Sequence, residues 1–216
     1  MKKAIFVGTL FAVALVAWSP LQTRADTIAL SFTPSGQTFF GGAGSDTVGW
    51  GFSLSAPLLV TQLGFWDENG NGLGQSHLVT IWSSTGTQSA QATIPVGTSG
   101  TLVDGFRYLT LTTPILLAAG NYTIGALLSA FGSDVASVSS SAISTTPGVT
   151  YAGSRAIEGN AFPTNDAFDL PNSYFGPNFQ FTTVGVPDSG STWALLLLAV
   201  TAVLGLHLLL HRRSQA

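Results

Sequence analysis

The densest group of oxygen-bearing side chains in the sequence is the run DENGNG, residues 67–72. Its carboxylate and amide groups stand at alternate positions, Asp67, Asn69 and Asn71. With a glycine in sixth place, this spacing repeats the first half of a calcium loop. The second half is missing, because Leu78 occupies the position of the bidentate glutamate. Two interpretations stay open: a glycine-rich hairpin turn after Trp66, which we favour, and a partial Ca²⁺ site completed by oxygens from elsewhere.

Two tryptophans flank this run. Trp66 is in phase with Gly64 and Trp82 with Thr80, so both indoles are predicted to lie off the main core face of their strands. Exposed indoles beside acidic and amide groups would form a platform for sugar rings, and a calcium-assisted carbohydrate-binding module is therefore one hypothesis. The competing interpretation is that both indoles are buried, as tryptophans are on average.

Catalytic constellations are scarce in the sequence. His77 is the only histidine between residues 26 and 186, and it shares a strand face with Val79 and Ile81, as expected of a histidine at the rim of the core. No G-x-S-x-G elbow accompanies it. Paired carboxylates of a glycan-active hydrolase could meet only in the fold, and we keep that as an unfavoured alternative. We predict no enzymatic activity and no cofactor other than the Ca²⁺ already considered.

Charge and cysteine content exclude several kinds of partner and of chemistry. Residues 26–186 contain two arginines, no lysine and nine acidic residues, a formal charge of −7 compared with −3 for the whole chain. Such a surface repels phosphate backbones, so nucleic acid is excluded as a partner. Cysteine is absent, which removes disulfides, thiolate catalysis and cysteine-ligated zinc. Stability must then come from the packing of one domain-sized core.

Short apolar runs separated by turn residues predict an all-β fold, an antiparallel β-sandwich of jelly-roll type. In TVGWGFSL, residues 47–54, every second side chain is large and apolar, which is the period of a half-buried strand. The weakly alternating, small-residue stretch 133–148 is either a poorly packed edge strand or a loop, with the loop favoured, and residues 176–178 indicate a turn. The predicted strands are residues 28–32, 47–54, 58–66, 77–82, 88–94, 106–112, 121–128, 149–157 and 174–182.

Both ends of the sequence are apolar. Residues 1–25 have the basic start, apolar centre and small-residue end of a secretory signal peptide. Residues 193–210 form an uncharged run that would span about 27 Å as a helix, enough to cross a bilayer. The basic tail 211–216 follows it and predicts a cytoplasmic end. The sandwich then occupies residues 26–182 on the outer side of the membrane, and residues 183–192 are a linker.

The linker, span and tail together resemble the VPDSG variant of the PEP-CTERM sorting signal of Gram-negative bacteria. The resemblance rests on a motif, an apolar span and a basic pair in that order, with the motif and basic residues Val186, Pro187, Asp188, Ser189, Gly190, Arg212 and Arg213. It implies recognition by a membrane-embedded transpeptidase of the exosortase type. It further implies export across the inner membrane, transient anchoring there, and release to the cell surface or the extracellular space.

The central part of the chain is similar to a domain of unknown function that often precedes such tails. The similar stretches include VGWGFSLSAPLLVTQLGFWDENGNGLGQSHLVTIW, GFRYLTL, LAAGNYTIGA and FGPNFQF. This resemblance implies a β-sandwich and assigns no activity, while the resemblance of the tail implies a setting rich in extracellular polysaccharide, a candidate partner. We therefore predict an exported, non-enzymatic surface or matrix protein with a structural or adhesive role.

Overall fold

The protein is described here by a computed structural model, which covers residues 25–41, 43–129, 131–164, 170, 172–184 and 196–202. Almost all regular structure is antiparallel β. The strands are β1 (Thr27–Ile28), β2 (Leu30–Thr33), β3 (Gln37–Phe39), β4 (Asp46–Leu54), β5 (Leu58–Trp66), β6 (His77–Ser83), β7 (Gln88–Ile94), β8 (Thr101–Val103), β9 (Phe106–Leu117), β10 (Gly120–Leu128), β11 (Ala136–Val138), β12 (Ala142–Thr145), β13 (Val149–Glu158) and β14 (Pro177–Thr183).

Two five-stranded sheets pack face to face, which confirms the predicted sandwich. The order in the first sheet is β1-β14-β5-β9-β8, and in the second it is β13-β4-β10-β6-β7. Two short pairs, β3 with β11 and β2 with β12, stand beside them. One continuous apolar cluster joins the inner faces of both sheets, as a sandwich requires.

The predicted alternation of β4 builds the centre of this core. Val48, Trp50, Phe52 and Leu54 are all buried. The Trp50 ring stacks on Phe179 of the opposite sheet, with centroids 6.0 Å apart and planes at 16°. Its indole N–H donates to the carbonyl oxygen of Pro177 at 2.8 Å. The indole thus bridges the two sheets with its single donor satisfied, as a buried tryptophan should be.

Three local predictions are wrong. Residues 133–148, where the sequence favours a loop over an edge strand, contain the strands β11 and β12, whose partners are short segments far away along the chain. Residues 177 and 178 begin β14 rather than lying in a turn, in agreement with the predicted strand 174–182, since a proline is accepted as the first residue of a strand. Residues 67–76 do not form a hairpin turn, because they connect β5 in one sheet to β6 in the other.

The sandwich has two unlike ends. At the first, which we name the short-turn end, the strands are joined by residues 55–57, 84–87, 118–119 and 146–148. At the opposite long-loop end the connections are residues 40–45, 67–76 and 95–100, and the connections that follow β10 and β13 start there. The last strand, β14, runs from the long-loop end to the short-turn end, where Thr183 pairs with Leu58.

Beyond the sandwich the structure describes one helical stretch, residues 196–202. Among the residues described, no helix has the length and apolar character needed to cross a membrane. The predicted signal peptide lies almost wholly outside the described residues, as do most of the predicted span and the basic tail with Arg212 and Arg213. The same holds for the motif residues Val186 to Gly190.

Candidate functional site

Arg107 of β9 binds the acidic loop 67–72 from its buried side. The Arg107 Nε donates to Asp67 Oδ2 at 2.8 Å, and its Nη2 donates to the Gly70 carbonyl oxygen at 2.7 Å. The backbone N–H of Gly72 donates to the same carboxylate oxygen at 2.9 Å. The Arg107 and Asp67 side chains are 8% and 2% exposed. A buried charge is tolerated when it is paired and hydrogen-bonded in this way.

The residues of the predicted calcium loop lie together but are engaged unequally. Asp67, Asn69 and Asn71 line one cavity of about 250 Å³ at the long-loop end. The two amides are exposed there, while the Asp67 carboxylate is buried under Arg107. Within the described parts of the chain, no three His, Cys, Asp or Glu side chains are grouped so that they could hold a metal. Calcium binding stays a prediction, and it would have to compete with the guanidinium for Asp67 and Gly70.

His77 joins this end of the sandwich to Asp134. The imidazole is fully buried on the core face of β6 and stacks on Phe65, with ring centroids 3.7 Å apart and planes at 8°. Its Nε2 lies 2.9 Å from Asp134 Oδ2, and its Nδ1 lies 3.3 Å from the Leu127 carbonyl oxygen. The predicted position on the core face is confirmed. The histidine serves as a link between the core and a surface loop.

The Asp134 carboxylate fastens two loops to each other. Besides His77 it accepts hydrogen bonds from the backbone N–H groups of Gly74 and Gln75, both at 2.9 Å. Burial acts to raise the pKa of Asp134, but the His77 hydrogen bond, these two amides and the histidine charge together hold that pKa below its ordinary value. Loops 67–76 and 129–135 are therefore held together by a carboxylate that favours its ionised form.

Sequence reasoning missed Arg107 and Asp134 as partners. Arg107 lies 40 residues from Asp67, and Asp134 lies 57 residues from His77. Periodicity within a strand carries no information about contacts over such separations. The available signal was compositional: an isolated arginine and an isolated histidine in strands of an acidic domain require carboxylate partners if they are buried.

Trp66 lies off the main core face, as predicted, but it is not exposed. It belongs to a second buried cluster with Phe106, Tyr108 and Val135 on the outer face of the first sheet. Phe32 covers it edge-on, with ring centroids 5.4 Å apart. Only 6% of Trp66 is accessible. The hypothesis of an exposed indole platform is corrected here, because β2 packs over that face of the sheet.

Trp82 is likewise covered on the outer face of the second sheet. Its ring lies 6.0 Å from that of Phe162, and it is 9% exposed. Gly125 of β10 leaves room for it, since a Cβ there would stand 3.0 Å from the indole. Segment 159–164 thus covers this sheet. Neither tryptophan presents an open ring face to a sugar.

A second cavity, of about 390 Å³, lies beside that covering segment. Arg155 of β13 lines it together with Asn121, Thr123 and Phe162. The guanidinium lies across Gly51, where a Cβ would stand 2.9 Å from Nη2. Its Nη1 donates to the carbonyl oxygen of Ser154 at 2.7 Å. This places the domain's second arginine at a concave, polar surface.

The sorting motif begins very close to the sandwich. β14 ends at Thr183, and the predicted motif starts at Val186. Three residues of extended chain reach at most about 11 Å, which is close to the spacing of two packed sheets. Whatever acts on Val186 to Gly190 must therefore work beside the short-turn end.

Comparison with known proteins finds two matches and agrees with both resemblances. Residues 185–207 match the VPDSG-CTERM motif, a C-terminal sorting signal that implies processing by an exosortase-type enzyme and indicates export to the surface or extracellular space. No curated protein matches the chain. Residues 32–175, more than half of the chain, match the domain of unknown function DUF4082. The protein therefore belongs to the DUF4082 family and carries a VPDSG-CTERM sorting signal.

Proposed function

We propose that the protein is a non-enzymatic component of the cell surface or extracellular matrix with a structural or adhesive role. The observation that carries the proposal is the position of the sorting signal at residues 185–207, directly after a self-contained sandwich. The uncharged span 193–210 holds the chain in the inner membrane until processing releases it. The sandwich is then the part that acts outside the cell.

The contacts made by the buried charged and titratable side chains of the sandwich support a structural role. Arg107 pairs with Asp67, and His77 pairs with Asp134. These contacts join loops to strands at the long-loop end. A catalytic acid or base has to reach a substrate proton, whereas these groups are directed at each other and at backbone amides.

The intact mass and C-terminal peptide of the protein isolated from its native cells test the proposal. We expect a C-terminus between Val186 and Gly190, with added mass if the new end is joined to another molecule. Deleting residues 186–213 should leave the domain free in the periplasm. A substitution of Pro187 and Asp188 by alanine should block processing, while Ser191→Ala, directly after the five residues Val186 to Gly190, should not. Wild-type protein that retains Arg212 and Arg213 on the surface would contradict the proposal.

A calcium-assisted carbohydrate-binding module is the second candidate. One observation favours it: Asp67, Asn69 and Asn71 line a single cavity. It ranks second because Trp66 and Trp82 are covered by Phe32 and Phe162. Calorimetric titration of the processed protein with exopolysaccharide from its own cells, with and without Ca²⁺, separates the two. Calcium-dependent heat of binding that Asn69→Ala abolishes would favour the second candidate.

A further inference from the structure

Most of the acidic residues that the structure describes lie at the end of the sandwich opposite to the sorting signal. Six acidic residues lie at or next to the long-loop end: Asp46, Asp67, Glu68, Asp104, Asp134 and Glu158. The four turns of the short-turn end read SAP, STGT, AA and TPG and contain no charged residue. Asp26 is the carboxylate nearest to that end along β1, and its oxygens accept hydrogen bonds from Thr61 and Gln62. The two ends therefore offer very different surfaces.

The turns of the short-turn end are also short and joined by backbone hydrogen bonds. The Ser55 N–H donates to the Gly148 carbonyl oxygen at 3.0 Å, and the Ser84 N–H donates to that of Asn121 at 3.0 Å. Leu58 pairs with Leu117 on one side and with Thr183 on the other. The chain therefore leaves the sheet among these turns. Two exposed apolar residues lie near this point, Leu116 at 61% and Val184 at 43% accessibility.

The length of the tether fixes how near the processing enzyme must come. Gly190 is seven residues beyond Thr183, so the whole motif lies within about 25 Å of the end of β14 even at full extension. The first motif residue, Val186, lies within about 11 Å of Thr183, so an enzyme cleft that takes up the motif from that residue onward comes next to the turns. Charged side chains placed there would have to lose water on contact, which is why charge is depleted at the centre of interfaces.

We propose that the short-turn end is the docking surface for the sorting transpeptidase, which engages the uncharged turns while it holds the motif. The inference rests on the proposed function, because it requires that the chain is processed at the motif. It goes further by assigning a part of the sandwich, outside the signal itself, to enzyme recognition. It also directs the acidic long-loop end, with the cavity at residues 67–72, away from the membrane during processing.

The test is the rate of processing in native cells, followed by pulse labelling and intact mass. The variant Ala56→Glu/Ala119→Glu adds two charges at exposed turn positions of the short-turn end. Thr98→Glu/Ser99→Glu adds the same charges at exposed positions of the long-loop end and is the matched control. We expect the first pair to slow processing about tenfold, equivalent to roughly 1.4 kcal/mol in the barrier, and the control to be processed at the wild-type rate. An unchanged thermal midpoint establishes that each variant folds.

A longer linker tests whether the slow processing arises from contact between the turns and the enzyme. Ten Gly/Ser residues inserted between Val184 and Gly185 should restore the wild-type rate to Ala56→Glu/Ala119→Glu, because the motif could then be reached without contact with the turns. Equal processing of both glutamate pairs, or slow processing that the extension does not relieve, would overturn the inference while leaving the proposed function intact. A wild-type chain that is never processed would overturn both.

A lysine pair distinguishes the enzyme from the lipid surface. Ala56→Lys/Ala119→Lys should be slowed like the glutamate pair if the turns dock on a protein, since either sign of charge must be desolvated. Lysines are attracted to anionic headgroups. Lysine variants processed as fast as the wild type, beside slow glutamate variants, would show that the turns face the bilayer and would overturn the proposed enzyme contact.

Discussion

Arg107 and Asp67 form an ion pair that is almost wholly withdrawn from water, with 2.8 Å between Nε and Oδ2. The same guanidinium binds the carbonyl oxygens of Gly70 and Gly100, at 2.7 and 3.3 Å. One side chain thereby ties the loop after β5 to the start of β9 and to the connection before β8. The loop 67–72, whose spacing resembles a calcium loop, is thus held in place by the guanidinium of Arg107.

Removing that cation should destabilise the fold strongly. Arg107→Met leaves the Asp67 carboxylate buried without a counter-charge, and we expect a loss of about 3–5 kcal/mol in the free energy of unfolding, measured by urea titration. The double variant Asp67→Leu/Arg107→Met should recover much of the loss, because no unpaired charge remains. Arg155→Met, at the half-buried second arginine, is the control and should cost less than about 1 kcal/mol. A double variant no more stable than the single one would contradict this explanation.

Calcium should have little effect on the wild-type protein if Arg107 keeps its contacts. We expect the thermal midpoint of unfolding to be the same in millimolar CaCl₂ and in EDTA, because the guanidinium already occupies Asp67 Oδ2 and the Gly70 carbonyl oxygen. A ligand present at a hundred times its dissociation constant would stabilise the fold by about 2.7 kcal/mol, which scanning calorimetry detects easily. A rise in midpoint that Asn69→Ala/Asn71→Ala removes would show instead that calcium displaces the arginine.

The Asp134 carboxylate should make stability depend on pH on the acid side. Its pKa in the folded protein is held below the ordinary value of 3.8, so the folded state favours the ionised form more than the unfolded chain does. The resulting stabilisation is complete above the unfolded pKa and is lost as the pH falls through the folded pKa. The window is therefore below about pH 4; near neutral pH the stabilisation is fully present and does not change with pH.

Asp134→Asn should weaken the acid dependence and lower stability at neutral pH by about 1–3 kcal/mol, since the hydrogen bonds to a charged acceptor are lost. The measurement is the free energy of unfolding in urea at a series of pH values between about 2 and 7. Glu68→Gln, at an exposed position of the neighbouring loop, serves as the control and should follow the wild-type curve. A variant with the same acid dependence as the wild type would assign that dependence to other carboxylates.

The main strands of the sandwich could be predicted because their signal is local. In β4, alternate large apolar residues of one strand are enough to define a core face, and the structure buries all of Val48, Trp50, Phe52 and Leu54. β11 and β12 carry only a weak signal, since they are three and four residues long and contain mostly small side chains. Those strands form because distant segments offer unpaired backbone groups, which no window along the sequence reveals.

The sequence predicted individual features of the candidate site but not how they come together. The loop 67–72 was recognised by spacing, and the positions of Trp66 and Trp82 off the core face follow from the period of a strand. Their burial does not, because it depends on Phe32 and on Phe162 arriving from other parts of the chain. The sorting signal is recognisable in full since it is read as a linear segment.

Gly49 is a position where the fold admits no side chain, although nothing in the local pattern of β4 requires a glycine. It pairs with Gly125 of β10, and a Cβ on Gly49 would stand 2.8 Å from the Gly125 Cα and collide with the Ile124 carbonyl oxygen. Because the obstacle is backbone, Gly49→Ala should destabilise the fold by about 3 kcal/mol or more, at or above the usual range for overpacking. Gly44→Ala is the matched control, since a Cβ there meets nothing within 4 Å, and it should be neutral or slightly stabilising. Urea unfolding of the two variants side by side measures the difference, and equal stabilities would show that β4 and β10 can separate enough to admit a methyl group.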